Sequence, residues 1–389
     1  MTIGRPCGHD KYPMRHFILS PAQRIAWLRL IRTENVGPVT FRDLINQCGS
    51  AENALAMLPD IVGRTGRKRY LHTPSQSEAE DELAAIERHG AQLVGIGEDA
   101  YPPLLRIADS PPPLVTMRGN PAVFKRHSVS IVGARNASMS GINMARKLSR
   151  DLAKADYPVV SGLARGIDCA AHEAALERGT VAVLAGGHSK PYPPENIALL
   201  QSIEDGGMGA SISEMPFGWE PRAKDFPRRN RIVAALSMGL VVVEAAKRSG
   251  SLISARLAAE MGRTVFAVPG SPLDPRSAGT NQLIRNGATL ITNAEEIIVD
   301  LRPVNTDPDH GTNTLLSEED QYMPLPPDDD DRARIMTLLS PSPTDVDDLI
   351  AHSGLTAGQV MLILLEADLA GLIERHSGNR VSRIFQSDP

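Results

Sequence analysis

Between residues 80 and 300, short apolar runs recur at intervals: Ser128-Val-Ser-Ile-Val132, Tyr157-Pro-Val-Val160, Val181-Ala-Val-Leu184, Leu240-Val-Val-Val243, Thr264-Val-Phe-Ala-Val268 and Thr289-Leu-Ile-Thr292. Each is continuous rather than alternating, and helical spacing fills the intervals, as in the Ala- and Leu-rich stretch from Ser251 to Met261. Continuous apolar strands separated by helices predict a mostly parallel sheet covered on both faces, an α/β fold of the Rossmann-like kind. Upstream, Tyr101-Pro-Pro-Leu-Leu and Ser110-Pro-Pro-Pro-Leu read as an extended entry segment, because proline disfavours helix in the residue before it.

The pattern changes on either side. Ser20-Pro21 is a helix N-cap and first-turn pair, and Ile25, Leu28, Leu30 and Ile31 supply an apolar face. Asn35-Val-Gly-Pro-Val-Thr-Phe-Arg-Asp-Leu-Ile45 then reads as a tight turn opening a second helix. It looks like the hairpin of helix-hairpin-helix or SAM-like modules, which offer backbone N–H groups to phosphate; a purely structural Gly-Pro turn fits as well. At the other end, helical patterns at Ala333–Leu339, Val346–His352 and Ala357–Ala370 precede two short strands around Ser377-Gly-Asn, a winged-helix-like arrangement. The expected organisation is a tail over 1–19, a helical domain over 20–78, a Rossmann-like domain over 79–300, an acidic linker over 301–330 and a winged-helix-like domain over 331–389.

Composition places this chain among soluble globular proteins, with 42% hydrophobic and 22% charged residues in 389. A length of this order predicts two or three domains. No apolar run approaches a membrane span, and the N-terminal stretch has no signal-peptide core. Cys7, Cys48 and Cys169 are odd in number and widely spaced, which suits a reducing cytoplasm and supplies neither a disulfide framework nor a zinc site. The net charge of -5 conceals a division: residues 303–331 carry nine acids and no Lys or Arg, so the remainder is mildly basic.

Much of that basicity is concentrated. Arg222, Lys224, Arg228, Arg229 and Arg231 fall within ten residues, with Asn230 among them and Phe217, Trp219 and Phe226 interleaved. Cations that meet phosphates, beside rings that stack on bases, are what a groove for single-stranded nucleic acid requires. The competing reading is a solvated loop leading into an Arg-rich helix.

Glycine loops follow the strands. Gly133-Ala-Arg-Asn-Ala-Ser-Met-Ser-Gly141 opens a helix after the first clear strand, where an anion is favoured. It matches neither GxGxxG nor the Walker pattern, and no acid ends the next strand to read a ribose, so neither a dinucleotide cofactor nor a P-loop hydrolase is expected. Gly133, Arg135 and Ser138 are the candidate phosphate contacts. Ser161-Gly-Leu-Ala-Arg-Gly-Ile-Asp168 repeats the design with Gly162, Arg165 and Gly166. Lys190 follows Gly186-Gly187, and Ser249, Gly250 and Ser251 precede a further helix. Asp168 and His172 are spaced for one helix face, but no further ligands gather for a metal, and capping explains them better. No nucleophile–base pair is evident. The alternative function is a nucleotide or nucleoside-phosphate hydrolase using Glu244 or Asp168 as acid or base.

Seven segments taken in order, GARNASMSG, SGLARGID, YPPEN, FPRRNRI, VVVEAAKRSGSLISARLA, VFAVPG and GTNQLIRNGA, resemble the DNA-processing protein A family (DprA, also called Smf). The resemblance covers about residues 85–295 densely and the outer domains more weakly. It implies an extended Rossmann-like domain that dimerises, binds single-stranded DNA without sequence preference and loads the recombinase RecA during natural transformation; it establishes no cofactor and no catalysis, and none is expected. It assigns phosphate contact to Arg135 and to the basic segment holding Arg222 and Lys224. Where members carry an Asp before the Tyr-Pro pair this chain has Ser189, followed by the cation Lys190. For the implied homodimer the sequence offers Leu283, Ile284, Leu290 and Ile291, which serve equally as inward packing. The winged-helix-like domain fits protein contact or an accessory role better than sequence readout. Thr356 to Ala370, in the position of a recognition helix, has no Lys or Arg and carries Glu366 and Asp368; only the wing is basic, with Arg375, Arg380 and Arg383.

Overall fold

The computed structural model describes residues 18–63, 71–301, 327–376 and 378–384. Most of the expected tail and nearly all of the acidic linker lie outside the described residues. Among the described residues four helices come first: α1 (Pro21–Arg32), α2 (Pro38–Cys48), α3 (Ala51–Gly63) and α4 (Gln76–Arg88). Ser20 caps α1 in a reciprocal box with Gln23, and Ser75 caps α4 with Glu78. The expected boundary between 78 and 79 falls inside α4.

The central domain continues through β1 (Gln92–Gly95), α5 (Pro103–Arg106), β2 (Leu114–Gly119), β3 (Val129–Val132), α6 (Met139–Lys154), β4 (Val159–Ser161), α7 (Ile167–Ala175) and β5 (Thr180–Val183). It goes on with α8 (Ile197–Asp205), β6 (Ala210–Ser213), α9 (Asp225–Ala235), β7 (Gly239–Val242), α10 (Ser251–Glu260), β8 (Thr264–Ala267), α11 (Ala278–Arg285), β9 (Thr289–Leu290) and α12 (Ala294–Leu301). These strands form one nine-stranded sheet in the order β1-β2-β6-β5-β4-β3-β7-β8-β9. From β6 to β9 every pairing is parallel, while β1 and β2 add an antiparallel margin. Two apolar clusters cover the sheet, one built on Val132, Val160, Val183, Ile232 and Val242, the other on Ile131, Leu148, Val159, Val241 and Phe266.

The mostly parallel α/β architecture is as the apolar runs predict. Three strands were not visible in them, and the segment expected to be extended contains the single-turn helix α5, with Pro103 at its first position, where the missing N–H costs nothing.

The helical domain is not a separate bead. Leu19 and Leu28 pack with Ala79 and Ile86 of α4 and with Leu93 and Leu114 of the sheet in one cluster. Leu19, placed in the tail by its sequence, is therefore core. The two domains share apolar surface that neither could leave in water.

The C-terminal domain comprises α13 (Asp329–Leu338), β10 (Thr344–Asp345), α14 (Val346–Ser353), α15 (Ala357–Leu369), β11 (Ile373–His376) and β12 (Arg380–Arg383). The winged-helix arrangement holds, with β11 and β12 pairing antiparallel to form the wing. Asp328 to Asp330, read as the end of the linker, instead join Asp331 to cap and fill the first turn of α13, where negative charge suits the helix dipole. Helix α15 docks on the helical domain. Leu365 and Leu369 enter the cluster of Leu30, Phe41, Leu44 and Leu58. Around this contact, Thr40 Oγ1 donates to Asp368 (2.6 Å), Asn35 Nδ2 donates to the Leu369 carbonyl (3.1 Å), and Arg375 lies between Asp43 (3.2 Å) and Asp368 (2.9 Å). The helix that would enter a DNA groove in a duplex reader thus has one face engaged by protein.

Leu28→Ala should lower stability by about 2–5 kcal/mol. Because the cluster spans both domains, far-UV circular dichroism and tryptophan fluorescence should shift together in a urea titration. Unequal shifts would show that the domains unfold independently.

Candidate nucleic-acid interface

The strand order places a topological switch point between β3 and β7: from β3 the chain builds outward to β4, β5 and β6, whereas β7, β8 and β9 lie on the other side. In such sheets the crevice beyond the carboxyl ends of the strands is where ligands bind. The loops after β3, β4, β5 and β7 meet there, joined by the start of α9.

Several backbone donors of the crevice are met by the chain's own carboxylates and hydroxyls. Glu244, following β7, accepts from Ser138 N (2.9 Å) and Ser138 Oγ (2.5 Å), and Ser138 caps α6 by accepting from Gly141 N (2.9 Å). A Cβ on Gly141 would come within 2.5 Å of the Glu244 carboxyl carbon. The chain's own carboxylate thus occupies the helix N-terminus where an external anion was expected, with the same favourable dipole. Asp168 does likewise one loop over, accepting from Gly162 N (3.0 Å) and Ala164 N (3.3 Å). Burial pushes its carboxyl up, and Arg229 together with those N–H groups draws it back.

Several expected contacts are corrected by this geometry. Arg229 is buried, donating to the carbonyls of Gly162 (2.5 Å) and Val183 at the ends of β4 and β5. Burial lowers its pKa to about 10, which still leaves it charged at neutral pH. Its position on α9 faces the sheet, and its guanidinium is turned to the carbonyls of the strand ends. Arg231 is mostly buried, held by the Glu214 carboxylate and the Ser110 carbonyl (2.7 Å). Gly133, Gly162 and Gly166 are closely approached by protein: added Cβ atoms would strike the Ile167 side chain, the Arg229 guanidinium and the Ala134 carbonyl, the last from a φ of +76°. Ser249 and Ser251 hydroxyls bond each other (2.7 Å), Ser251 is buried, and Asn230 Nδ2 donates to the Gly250 carbonyl (3.3 Å). The Asp168–His172 pair is not an acid–base couple. His172 Nδ1 faces Thr180 Oγ1 (2.7 Å), and burial pushes its pKa down to about 3. In the proposed dimer surface Ile291 is fully buried, Leu283 and Ile284 are partly buried, and Leu290 is exposed.

Outward from these fixtures lies an exposed row. Arg135, Arg165, Lys190, Arg222, Lys224 and Arg228 are exposed. The Arg135 guanidinium lies 5.2 Å from the Phe226 ring centre, and Tyr192, from the loop after β5, meets Phe226 edge-on at 5.6 Å. Arg222 lies over Trp219 at 4.5 Å, and Asp225 fixes that corner by accepting from Trp219 Nε1 and Arg222 N, both at 2.8 Å. Arg228 pairs with Glu214 (3.0 Å) at the rim. Sequence reasoning passed over Tyr192 and over Lys247 and Arg248, two exposed cations in the loop after β7. The Lys-Arg pair directly ahead of Ser249-Gly-Ser251 was the available signal.

The fold and this face define a Rossmann-like protein whose central sheet carries a cationic, aromatic-lined crevice, with a helix-hairpin-helix-type domain before it in the chain and a winged-helix domain after it. The comparisons agree domain by domain. A family profile described as DNA recombination-mediator protein A matches residues 92–302, a DprA-like N-terminal HHH domain matches 21–85, and a DprA winged helix domain matches 319–379. Protein Smf of Escherichia coli (strain K12) is 34% identical over 360 residues, covering 91% of this chain and 94% of the other. The chain belongs to the DprA/Smf family. The X-ray structure of DprA from Streptococcus pneumoniae superposes with a TM-score of 0.56 at 31% identity, covering 75% of this chain and 96% of that one. A Helicobacter pylori DprA structure, described for its single-stranded DNA binding mode, gives 0.50 at 30% identity over 54% of this chain and 95% of that one.

The buried imidazoles give a pH dependence. In the unfolded chain histidine titrates near 6.5, whereas burial holds His172 and His188 to about 3 in the fold. As pH falls from 6.5 towards 3 the unfolded state takes up protons first, so stability falls, by at most about 1.4 kcal/mol per pH unit for each group. His188→Gln should flatten the slope of unfolding free energy between pH 6.5 and 4 in urea titrations. An unchanged slope would assign the acid sensitivity to other groups.

Proposed function

We propose that this chain binds single-stranded DNA without sequence preference along the exposed row and mediates recombination in the cytoplasm by delivering the strand to a RecA recombinase, as in natural transformation. The observation that carries the reading is the alternation of guanidinium and ring, Arg135 on Phe226 and Arg222 on Trp219, at the carboxyl-end crevice. A cation beside each π-face matches a repeating phosphate and base, a polymer's chemistry rather than a mononucleotide's. The single-stranded DNA binding mode described for the Helicobacter pylori protein supports it; delivery to RecA rests on the family resemblance. The hydrolase alternative loses its candidate groups, because Glu244 and Asp168 are spent on Ser138 and on the loop after β4. Two copies acting together would raise the local density of sites on one strand. The surface we favour for a homodimer is the outer edge formed by α11 and β9, where Leu290 is exposed.

The full-length protein should prefer long single-stranded oligonucleotides to duplex and to mononucleotides, with log affinity falling against log salt by about 0.7 per phosphate contacted. Arg135→Ala, or Arg222→Ala with Lys224→Ala, should weaken binding to all sequences alike and reduce that slope. Undiminished affinity in both folded variants would overturn the groove. Light scattering should show a dimer that Leu290→Glu weakens. A monomer at micromolar concentration would remove the dimer, and a dimer indifferent to the change would move its interface.

A further inference from the structure

Helix α9 is preceded by eleven residues, 214–224, with neither helix nor strand, and the start of this stretch is held by the helical domain. Arg32 of α1 donates from Nη1 to the Glu214 carbonyl (3.1 Å) and pairs with Glu82 of α4 (3.0 Å). Glu82 Oε1 also accepts the Phe217 N–H (3.0 Å). The Phe217 ring meets His89 edge-on at 5.3 Å and packs against the cluster of Leu28, Ile86 and Leu93. The Glu214 side chain in turn receives Arg228 (3.0 Å) and Arg231. One chain of contacts therefore runs from α1 and α4, through Glu214 and Phe217, to the guanidinium groups of α9.

We infer that the helical domain positions the DNA-binding segment, with Arg32 and Glu82 as positioning residues that set single-strand affinity without touching the strand. This rests on the groove reading above. Their side chains are only 11% and 17% exposed, too little to serve as phosphate contacts themselves. Left untied, an irregular stretch carrying Trp219, Arg222 and Lys224 would lose conformational freedom each time DNA bound. Held at both ends, by Glu82 and Arg32 at one and by Asp225 at the other, it meets the strand already ordered.

The test uses the full-length chain with Trp27→Phe, which leaves Trp219 as the sole tryptophan of the two in the sequence. Glu82→Leu and Arg32→Ala should each weaken binding of labelled oligothymidylate by about tenfold, the ordering no longer being supplied in advance. The salt slope should be unchanged, and Trp219 should become more mobile in fluorescence anisotropy decay. Glu82→Gln, which keeps an oxygen for the Phe217 N–H, should restore affinity to within about twofold, since one neutral acceptor still serves that donor. If Glu82→Leu does not fold, Arg32→Lys carries the test, because it keeps the charge but cannot reach Glu82 and the Glu214 carbonyl together. Parental affinity in the folded variants overturns the inference. So does a slope reduced by about 0.7, which would mean a direct phosphate contact, and so does weakened binding with Trp219 unaltered. Arg135→Ala and the Arg222/Lys224 pair separate the two readings. If they weaken binding while the Arg32 and Glu82 variants do not, only the positioning role falls; if none has an effect, the groove itself is wrong.

Discussion

Everything on the binding face depends on how the carboxyl ends of the central strands are neutralised. A parallel sheet collects helix N-termini and loop N–H groups on that side, a concentration of positive potential that needs anions. Here the chain supplies them from within. Glu244 sits on the start of α6 and Asp168 on the loop after β4. Buried carboxylates hydrogen-bonded to backbone N–H groups tie neighbouring loops together, and Glu244 does so across the switch point itself. The floor of the crevice is therefore lined by the chain's own paired groups, and the contact with a phosphate backbone proposed above falls to side chains standing over it.

That division sorts the arginines of α9 and its approach. Arg229 points into the sheet and serves strand carbonyls, Arg231 is gripped by Glu214, and Arg222, Lys224 and Arg228 remain at the surface. Cations spaced along one helix cannot all face the same way, so a basic cluster in sequence is divided between scaffold and surface by helical geometry. Glu214 pairs with both the buried Arg231 and the exposed Arg228, and Arg32 and Glu82 of the helical domain contact the start of the segment that leads to them.

The C-terminal domain follows the same economy of surfaces. Its α15 carries no cation for a groove, and its apolar side chains complete the core of the helical domain instead. Asp368, which in sequence counted only against DNA readout, accepts from Thr40 and pairs with Arg375 in this contact. One wing arginine is thereby drawn into a protein–protein junction within the chain.

The sequence by itself determined the layered α/β core, because continuous apolar runs such as 128–132, 240–243 and 264–268 can be buried only in a sheet covered on both faces. It also determined the outer helical and winged domains, whose caps and turns are local, and the family, whose motifs are contiguous. It did not disclose β6, Ala210-Ser-Ile-Ser213, since two of its four residues are serines that become acceptable in a buried strand only through Glu204 and the Gly186 carbonyl. Nor could it disclose which glycines are closely approached by protein, or which arginines reach solvent. Gly162 is shaped by Arg229, sixty-seven positions away, and the Ser138 cap by Glu244, one hundred and six away. Those assignments are properties of pairs brought together by the sheet order, and only the tertiary structure decides them.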